Sequence, residues 1–129
     1  MSNVVTKIFV ADDDSTILEV IRMILEIAGY TVTTTTNAND IFDYKQAELP
    51  ALILLDLWMS GIDGKDICTR LKTNNQTKHI PVLFISANSN IKEITETYNA
   101  DGFIAKPFEM DYLLKKVHDC LNEAASKHD

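Results

Sequence analysis

The chain has few of the residues that mark cross-linked, fibrous or membrane-spanning proteins. It contains two cysteines, three prolines, four glycines and one tryptophan in 129 residues. Cys68 and Cys120 form neither a CxxC pair nor a metal-binding spacing, which excludes a disulfide scaffold and a zinc finger. No apolar run approaches the roughly 20 residues that span a membrane, and the amino terminus lacks the features of a signal peptide.

Basic residues are also scarce relative to acidic ones. Twelve lysines and arginines stand against nineteen aspartates and glutamates, which gives a net charge of −7. Because nucleic acids and anionic membranes both attract basic surfaces, we predict no direct nucleic-acid binding and no membrane insertion. We expect reduced thiols and therefore a cytoplasmic protein. The length fits one domain, residues 1–129, with a core over about 6–123 and a short polar tail.

Short apolar runs alternate with segments of helical periodicity. The continuous apolar runs predict parallel strands covered on both faces, and the Thr-rich segment Val32–Thr36 predicts an edge strand. The helical spacing predicts five helices, of which the second is a weaker one over about Ala38 to Glu48. The alternation predicts an α/β fold with a five-stranded parallel sheet and helices on both faces. The other four predicted strands are Ile8–Ala11, Ala51–Leu55, Val82–Ile85 and Gly102–Ala105.

Charged or hydroxyl-bearing side chains follow four of the five predicted strands. Asp12 and Asp13 follow the first, Asp56 the third, Ser86 the fourth and Lys106 the fifth. In an open parallel sheet the carboxyl ends of the strands form one edge, where ligands bind. Two carboxylates about 4 Å apart repel by roughly 4 kcal/mol at an effective dielectric constant near 20, so such a cluster holds a proton or binds a hard cation. Oxygen ligands favour Mg²⁺ (or Mn²⁺), and a carboxylate beside the cation can attack phosphorus to give an aspartyl phosphate.

Four segments, taken in order, resemble the receiver domain of two-component response regulators. The likeness covers nearly all of residues 6–123 and is strongest to a stand-alone receiver of the chemotaxis type, although a domain excised from a longer protein fits equally. It implies a flavodoxin-like (βα)5 fold with strand order 2-1-3-4-5. The matching segments are residues 8–14, 54–64, 81–87 and 102–108, with the sequences IFVADDD, LLDLWMSGIDG, PVLFISA and GFIAKPF.

The resemblance implies a phosphoacceptor and a metal site. Asp56 corresponds to the phosphoacceptor. Asp12 and Asp13 correspond to the acidic pair that binds Mg²⁺ together with Asp56, with Asp13 a direct ligand and Asp12 acting mainly through water. The backbone carbonyl of Trp58 would complete the protein ligands.

The resemblance also implies a switch. Lys106 and Ser86 would contact the phosphoryl group, and Phe103 occupies the position of an aromatic residue that moves inward with Ser86. The bond before Pro107 is expected to be cis.

Four positions near the expected site differ from the family pattern or could tune its chemistry. Ser60 stands where the family commonly has proline, which removes a restraint on φ and predicts a looser turn. Phe103 replaces a frequent tyrosine, so we expect its switching to be a packing change only. Trp58 and Asn88 flank the expected path of the hydrolytic water, and we hypothesise that Trp58 slows loss of the phosphoryl group by hindering that water.

The implied function is to accept a phosphoryl group from a phosphohistidine of a sensor histidine kinase or a histidine phosphotransfer protein. The phosphorylated form would switch a surface of the fourth helix, fifth strand and fifth helix that binds a downstream protein. Such a receiver is not a conventional enzyme, but it assists its own phosphorylation and dephosphorylation. On the first helix we predict that Leu18 is in the core, whereas Val20 and Ile27 are candidates for docking a phosphohistidine-bearing helix bundle.

Two other functions fit part of the sequence. Residues 12–16, DDDST, match the D-x-D-x-T motif of haloacid-dehalogenase-like phosphatases, in which Asp12 would be the nucleophile and Asp14 the general acid/base. That assignment leaves Asp56 without a role. A receiver that docks partners without being phosphorylated is the third possibility, and the complete set of polar residues at the strand ends argues against it.

Overall fold

Strands and helices alternate along residues 5–127, the part of the chain that the computed structural model describes. The ends of the predicted domain, residues 1–4 and 128–129, lie outside the described residues. Within 5–127 no helix combines the length and the apolarity needed to cross a membrane. The strands are β1 (Lys7–Ala11), β2 (Thr31–Thr35), β3 (Leu52–Asp56), β4 (Trp58–Met59), β5 (Ile62–Asp63), β6 (Val82–Ser86) and β7 (Gly102–Ala105). The α-helices are α1 (Ser15–Ile27), α2 (Gly64–Thr73), α3 (Ile91–Thr97) and α4 (Met110–Lys127).

Five of these strands form one parallel sheet in the order β2-β1-β3-β6-β7. With the two short strands β4 and β5 set aside, this is the predicted order 2-1-3-4-5, and the flavodoxin-like fold is confirmed. The Thr-rich strand β2 lies at an edge, as predicted. The central strand β3 is buried along its whole length because helices cover both faces of the sheet.

Successive residues of the central strands contribute to two hydrophobic cores, one on each face of the sheet. Val10 and Leu54 pack with α1 and α4 on one face, and Phe9 and Leu55 pack with α2 and α3 on the other. Leu18 is buried in the first of these cores, as predicted. Full burial of a leucine or isoleucine side chain contributes roughly 1.5–3 kcal/mol, so these two cores hold the strand ends in place.

The two cysteines lie on opposite faces of the sheet. Cys68 belongs to the core beneath α2 and Cys120 to the core beneath α4, which keeps their sulfur atoms apart. Both are buried and outside any disulfide, as expected. Burial raises the pKa of Cys68 to about 11, so this residue stays a thiol at neutral pH.

The helix α1 has defined signals at both ends. Asp14 is its N-cap, and one carboxylate oxygen accepts the backbone N–H groups of Thr16 and Ile17 at 2.9 and 3.3 Å. Gly29 follows the helix at φ +102°, a conformation that glycine adopts without strain and that ends the helix. The Asp14 cap sets where α1 starts relative to the end of β1 at Ala11.

The segment between β2 and β3 differs from the prediction. It forms two short 3-10 helices, Ala38–Asp43 and Gln46–Glu48, so the single α-helix predicted over Ala38 to Glu48 was wrong. Tyr44 interrupts it with an extended backbone, φ −74° and ψ 138°. Its ring packs edge-on against Phe9 at a centroid distance of 5.8 Å, and this tertiary contact outweighs the weak helical propensity of the segment.

Candidate functional site

The carboxyl ends of β1, β3, β6 and β7 lie side by side at one edge of the sheet, and the polar residues predicted there meet. Lys106 is 94 positions away from Asp12 in the chain, yet its Nζ lies 2.9 Å from Asp12 Oδ2. The same Nζ lies 3.8 Å from Asp56 Oδ2. The ammonium group therefore lies between two carboxylates that come from different strands.

Asp12, Asp13 and Asp56 form an acidic cluster. Each offers one carboxylate oxygen, and the three oxygens lie within 4.8 Å of one another. Asp12 and Asp56 are buried whereas Asp13 is exposed, because successive side chains at the end of β1 point to opposite sides. When all three are ionised, the cluster and the Lys106 ammonium carry a net charge of −2. An all-oxygen donor set with this charge fits a hard divalent cation such as Mg²⁺.

Asp12 is fully buried, and two groups compensate its charge. Lys106 donates to Oδ2, and the backbone N–H of Asp14 donates to Oδ1 at 2.9 Å. A buried carboxylate without such partners would be strongly destabilising. Each carboxylate oxygen of Asp12 therefore has a hydrogen-bond donor.

Asp56 has a perturbed acidity. Burial, and next the negative charge of Asp12, raise the pKa of Asp56 from 3.8 to about 6. The ammonium of Lys106 and a hydrogen bond from the backbone of Trp58 oppose this effect but do not cancel it. A desolvated carboxylate whose ionised form is unfavourable in the protein gains from an incoming cation, since the cation compensates its charge.

The loop that follows Asp56 is shaped by Gly64, a residue whose role was not predicted from the sequence. Trp58–Met59 and Ile62–Asp63 form a short antiparallel hairpin that returns the chain to the start of α2. A Cβ at Gly64 would lie 2.2 Å from the Asp56 carbonyl oxygen, and the Gly64 N–H donates to the Leu57 carbonyl at 2.7 Å. Only glycine permits this approach. The contact depends on how the hairpin folds back, so no local pattern could reveal it.

The turn at Ser60 is tied to β1. Its backbone N–H and its hydroxyl both donate to Asp13 Oδ2, at 3.2 and 3.1 Å. The argument from the missing proline did not include these two hydrogen bonds, and the looser turn stays a prediction. Ser60 has a φ of +25° and the following Gly61 a φ of +87°, and this backbone conformation brings the turn over Asp13.

Ser86 lies at the end of β6, next to β7, the strand that Lys106 follows. Its hydroxyl oxygen accepts the Asn88 N–H at 3.0 Å, and its carbonyl accepts the Lys106 N–H at 2.9 Å. The side chain of Asn88 is exposed and accepts the N–H of Asn90 at 2.8 Å. The hydroxyl hydrogen of Ser86 can thus be donated to a ligand without the loss of the Asn88 bond.

The remaining predicted site residues surround the acidic cluster rather than belong to it. Phe103 packs on the core beneath α2 and α3, and Lys116 Nζ of α4 lies 5.3 Å above its ring. Trp58 is 62% exposed at the mouth of the site. The peptide bond between Lys106 and Pro107 is cis.

One face of α1 carries exposed apolar residues. Val20, Met23 and Ile27 are 45, 53 and 83% exposed. They are spaced at i, i+3 and i+7 and form one stripe, of which Val20 and Ile27 were predicted from the sequence and Met23 was missed. Beside the start of this stripe is a groove of about 390 Å³ that reaches Lys106. The apolar residues that line it are Ile17, Val20, Ala87, Pro107 and Phe108.

Comparisons with known proteins agree with the fold. The family model of the response regulator receiver domain matches residues 8–118. The nisin biosynthesis regulatory protein NisR of Lactococcus lactis is 35% identical over 96% of this chain and 54% of that protein. A crystal structure of a putative response regulator from Chloroflexus aurantiacus has a TM-score of 0.85 and 28% identity, covering 92% of this chain and 98% of that one. The receiver domain of NtrX from Brucella abortus has a TM-score of 0.79 and 30% identity, covering 89% of this chain and 98% of that one.

The chain belongs to the response regulator receiver domain family and is part of the two-component class of signalling proteins. Receiver domains interact with sensor kinases or phosphotransfer proteins and typically bind Mg²⁺ through an acidic pocket, which here is formed by Asp12, Asp13 and Asp56. The chain spans about half the length of the curated relatives it matches, so the expected lack of direct nucleic-acid binding stays a prediction.

Proposed function

We propose that Asp56 is the phosphoacceptor of this receiver. A carboxylate oxygen of Asp56 attacks the phosphorus of a phosphohistidine, a P–O bond forms, and the N–P bond breaks. The bonding electron pair returns to the imidazole nitrogen of the partner, which takes up a proton from solvent. The observation that carries this proposal is the position of Lys106 Nζ between Asp12 and Asp56 at the carboxyl ends of the strands.

The residues of the cluster fit a divalent cation. Asp12, Asp13 and Asp56 would hold Mg²⁺ (or Mn²⁺), and the backbone carbonyl of Trp58 would add a ligand. The cation supplies neutralisation of phosphoryl oxygen charge. Lys106 stabilises the same developing charge as a point charge from the end of β7, and its bond to Asp12 keeps its ammonium at the site.

Phosphorylation then changes the balance of charge at the site. The new group carries about −1.5 to −2 charges, which attract the Lys106 ammonium and the Ser86 hydroxyl. Movement of Ser86 makes room for Phe103 to turn inward and away from Lys116. The surface that would respond consists of α3, β7 and α4, the predicted fourth helix, fifth strand and fifth helix, and it would bind the downstream protein.

In the structure Asp14, the general acid/base of the phosphatase alternative, has another role. Asp14 is engaged as the N-cap of α1, where its carboxylate accepts two backbone N–H groups. Asp12 is buried and paired with Lys106, while the phosphatase assignment still leaves Asp56 without a role. No comparison supports this alternative or the docking receiver that is never phosphorylated.

The direct test is to incubate the protein with Mg²⁺ and a small-molecule acyl phosphate and to map the modified residue by mass spectrometry. We expect modification of Asp56 that is abolished in Asp56→Asn. Asp14→Asn is the matched control, because asparagine caps a helix about as well as aspartate, and we expect it to be modified like the wild type. Modification of Asp12 that depends on Asp14 would instead establish the phosphatase chemistry.

The partner that donates the phosphoryl group would dock on the exposed stripe of α1. Val20, Met23 and Ile27 lie beside the groove that leads to Lys106, so an apolar helical surface that packs there would place its phosphohistidine near Asp56. A histidine phosphotransfer helix bundle has this chemistry.

The α1 stripe can be tested separately from the chemistry of Asp56. We expect Met23→Glu to slow phosphoryl transfer from a phosphorylated histidine phosphotransfer protein at least tenfold, and to leave modification by a small acyl phosphate unchanged. Met110→Glu is the control, since Met110 on α4 is 54% exposed against 53% for Met23 and the charge change is the same. Equal rates for the two variants would place the docking surface elsewhere.

A further inference from the structure

We propose that Ser60 is a positioning residue that holds the Asp13 carboxylate in place for the cation and so sets the affinity of the site for Mg²⁺. The inference rests on the proposed function of the acidic cluster and goes beyond it, since it concerns a residue that provides no ligand atom. Its basis is the pair of hydrogen bonds that joins the turn after β4 to the end of β1.

Asp13 is the member of the cluster that needs such support. Asp12 is fixed by Lys106 and by the N–H of Asp14, and Asp56 is fixed by its burial at the end of β3. Asp13 is exposed at the mouth of the site. An exposed carboxylate samples several rotamers, and a cation that binds it must restrict this motion at a cost in entropy. The two bonds from Ser60 impose that restriction before the cation arrives.

The geometry leaves the carboxylate available to a cation. Both bonds from Ser60, at 3.2 and 3.1 Å, end on Asp13 Oδ2, so neither uses Oδ1. A carboxylate has about four lone-pair positions over its two oxygens, which suffices for two hydrogen bonds and a metal ligand bond. Hydrogen-bond donors behind a ligating side chain orient it, and their removal typically lowers metal affinity about 10- to 100-fold.

The hydroxyl donor of Ser60 can be removed while the N–H donor is kept. Alanine removes the hydroxyl and keeps the N–H. Proline removes both and cannot adopt the φ of +25° found here. Because one of the two bonds remains in Ser60→Ala, we expect its Mg²⁺ dissociation constant to rise about tenfold, at the lower end of the range for such partners. Ser60→Pro is left out of the comparison, because it changes the backbone of the turn as well as the donors.

Two further variants separate the hydroxyl from the shape of the turn. Ser60→Gly lacks the hydroxyl but adopts positive φ freely, and Ser60→Thr keeps the hydroxyl but is strained at positive φ. If the hydroxyl acts on Asp13, Ser60→Gly binds Mg²⁺ as weakly as Ser60→Ala, and Ser60→Thr binds like the wild type in spite of lower stability. A purely structural role would produce the opposite ranking, in which affinity follows the free energy of unfolding.

The experiment is a Mg²⁺ titration of the full chain and these variants by calorimetry, with the fluorescence of Trp58, the one tryptophan, as a second readout. Urea unfolding in EDTA gives the stability of each variant without metal. Binding by Ser60→Ala at the wild-type affinity overturns the role of Ser60 and leaves the proposed metal site intact. No binding of Mg²⁺ by the wild type overturns the metal site itself and the role of Ser60 with it.

Discussion

Replacement of Asp56 by asparagine should make the protein more stable at neutral pH in the absence of divalent cations. Asp56 is 8% exposed, and its carboxylate is held near that of Asp12 with incomplete compensation from Lys106. The rise of its pKa from 3.8 to about 6 corresponds to roughly 3 kcal/mol at 1.4 kcal/mol for each pH unit. An asparagine side chain has nearly the same shape as that of Asp56 without this charge. We therefore expect Asp56→Asn to raise the free energy of unfolding by about 2–3 kcal/mol at pH 7.

The pH dependence gives the sign of the effect. Between pH 3.8 and about 6 the folded protein holds a proton on Asp56 that the unfolded chain has lost. The stabilisation linked to this proton is fully present below pH 3.8 and is lost as the pH rises through about 6. The difference between Asp56→Asn and the wild type should therefore be small near pH 4, grow up to about pH 6, and stay constant above it.

The assay is urea unfolding between about pH 4 and 8 in EDTA, followed by far-ultraviolet circular dichroism. Asp43→Asn is the matched control, because it removes the same charge from an exposed position and tests the effect of lowering the net charge alone. Added Mg²⁺ should stabilise the wild type more than Asp56→Asn. The difference between their free energies of unfolding should therefore become smaller. Equal stability of Asp56→Asn and wild type at pH 7, or a difference that does not change between about pH 4 and 6, would refute the argument from desolvation.

Individual contacts at the site lead to three more expected outcomes. Gly64→Ala places a methyl group against the Asp56 carbonyl, and we expect a loss of about 2 kcal/mol or more in urea unfolding together with slower phosphorylation by an acyl phosphate. Trp58→Ala should accelerate loss of the phosphoryl group, measured as the decay of phosphoprotein, and an unchanged rate would remove Trp58 from the path of the water. Ser86→Ala should be phosphorylated normally but fail to shift the Phe103 environment, seen by NMR; a normal shift would end the proposed coupling.

Four strands of the parallel sheet could be predicted because they are continuous apolar runs, and β2 because it is rich in β-branched threonine. The short strands β4 and β5 were not predicted. The polar residues at the strand ends could be predicted too, because Asp56 and Lys106 are charged residues that directly follow continuous apolar runs. The order of the strands came from the resemblance to receiver domains, because periodicity alone does not say which strands pair.

The predictions that failed, and the residues that were missed, depend mostly on tertiary contacts. The weak helix before β3 is broken by packing of Tyr44 on Phe9. The hydrogen bonds between Ser60 and Asp13, which is 47 positions away, were missed because a local argument about φ could not include that partner. Gly64 is needed because the backbone of Asp56 lies against it.

Met23 is a different case, because the signal for it was present in the sequence. It lies on the same stripe of α1 as Val20 and Ile27. A complete helical projection of α1 would have found it.

The bond between Lys106 and Asp12 joins the last strand of the sheet to the first. During synthesis on the ribosome, Asp12 and Asp56 are added to the chain before Lys106. A nascent chain therefore carries the two carboxylates before it carries the ammonium that lies between them. Any reaction that needs both must wait until β7 has been translated and inserted at the sheet's edge. A chain truncated before that point would carry Asp12, Asp13 and Asp56 without the ammonium that compensates two of them.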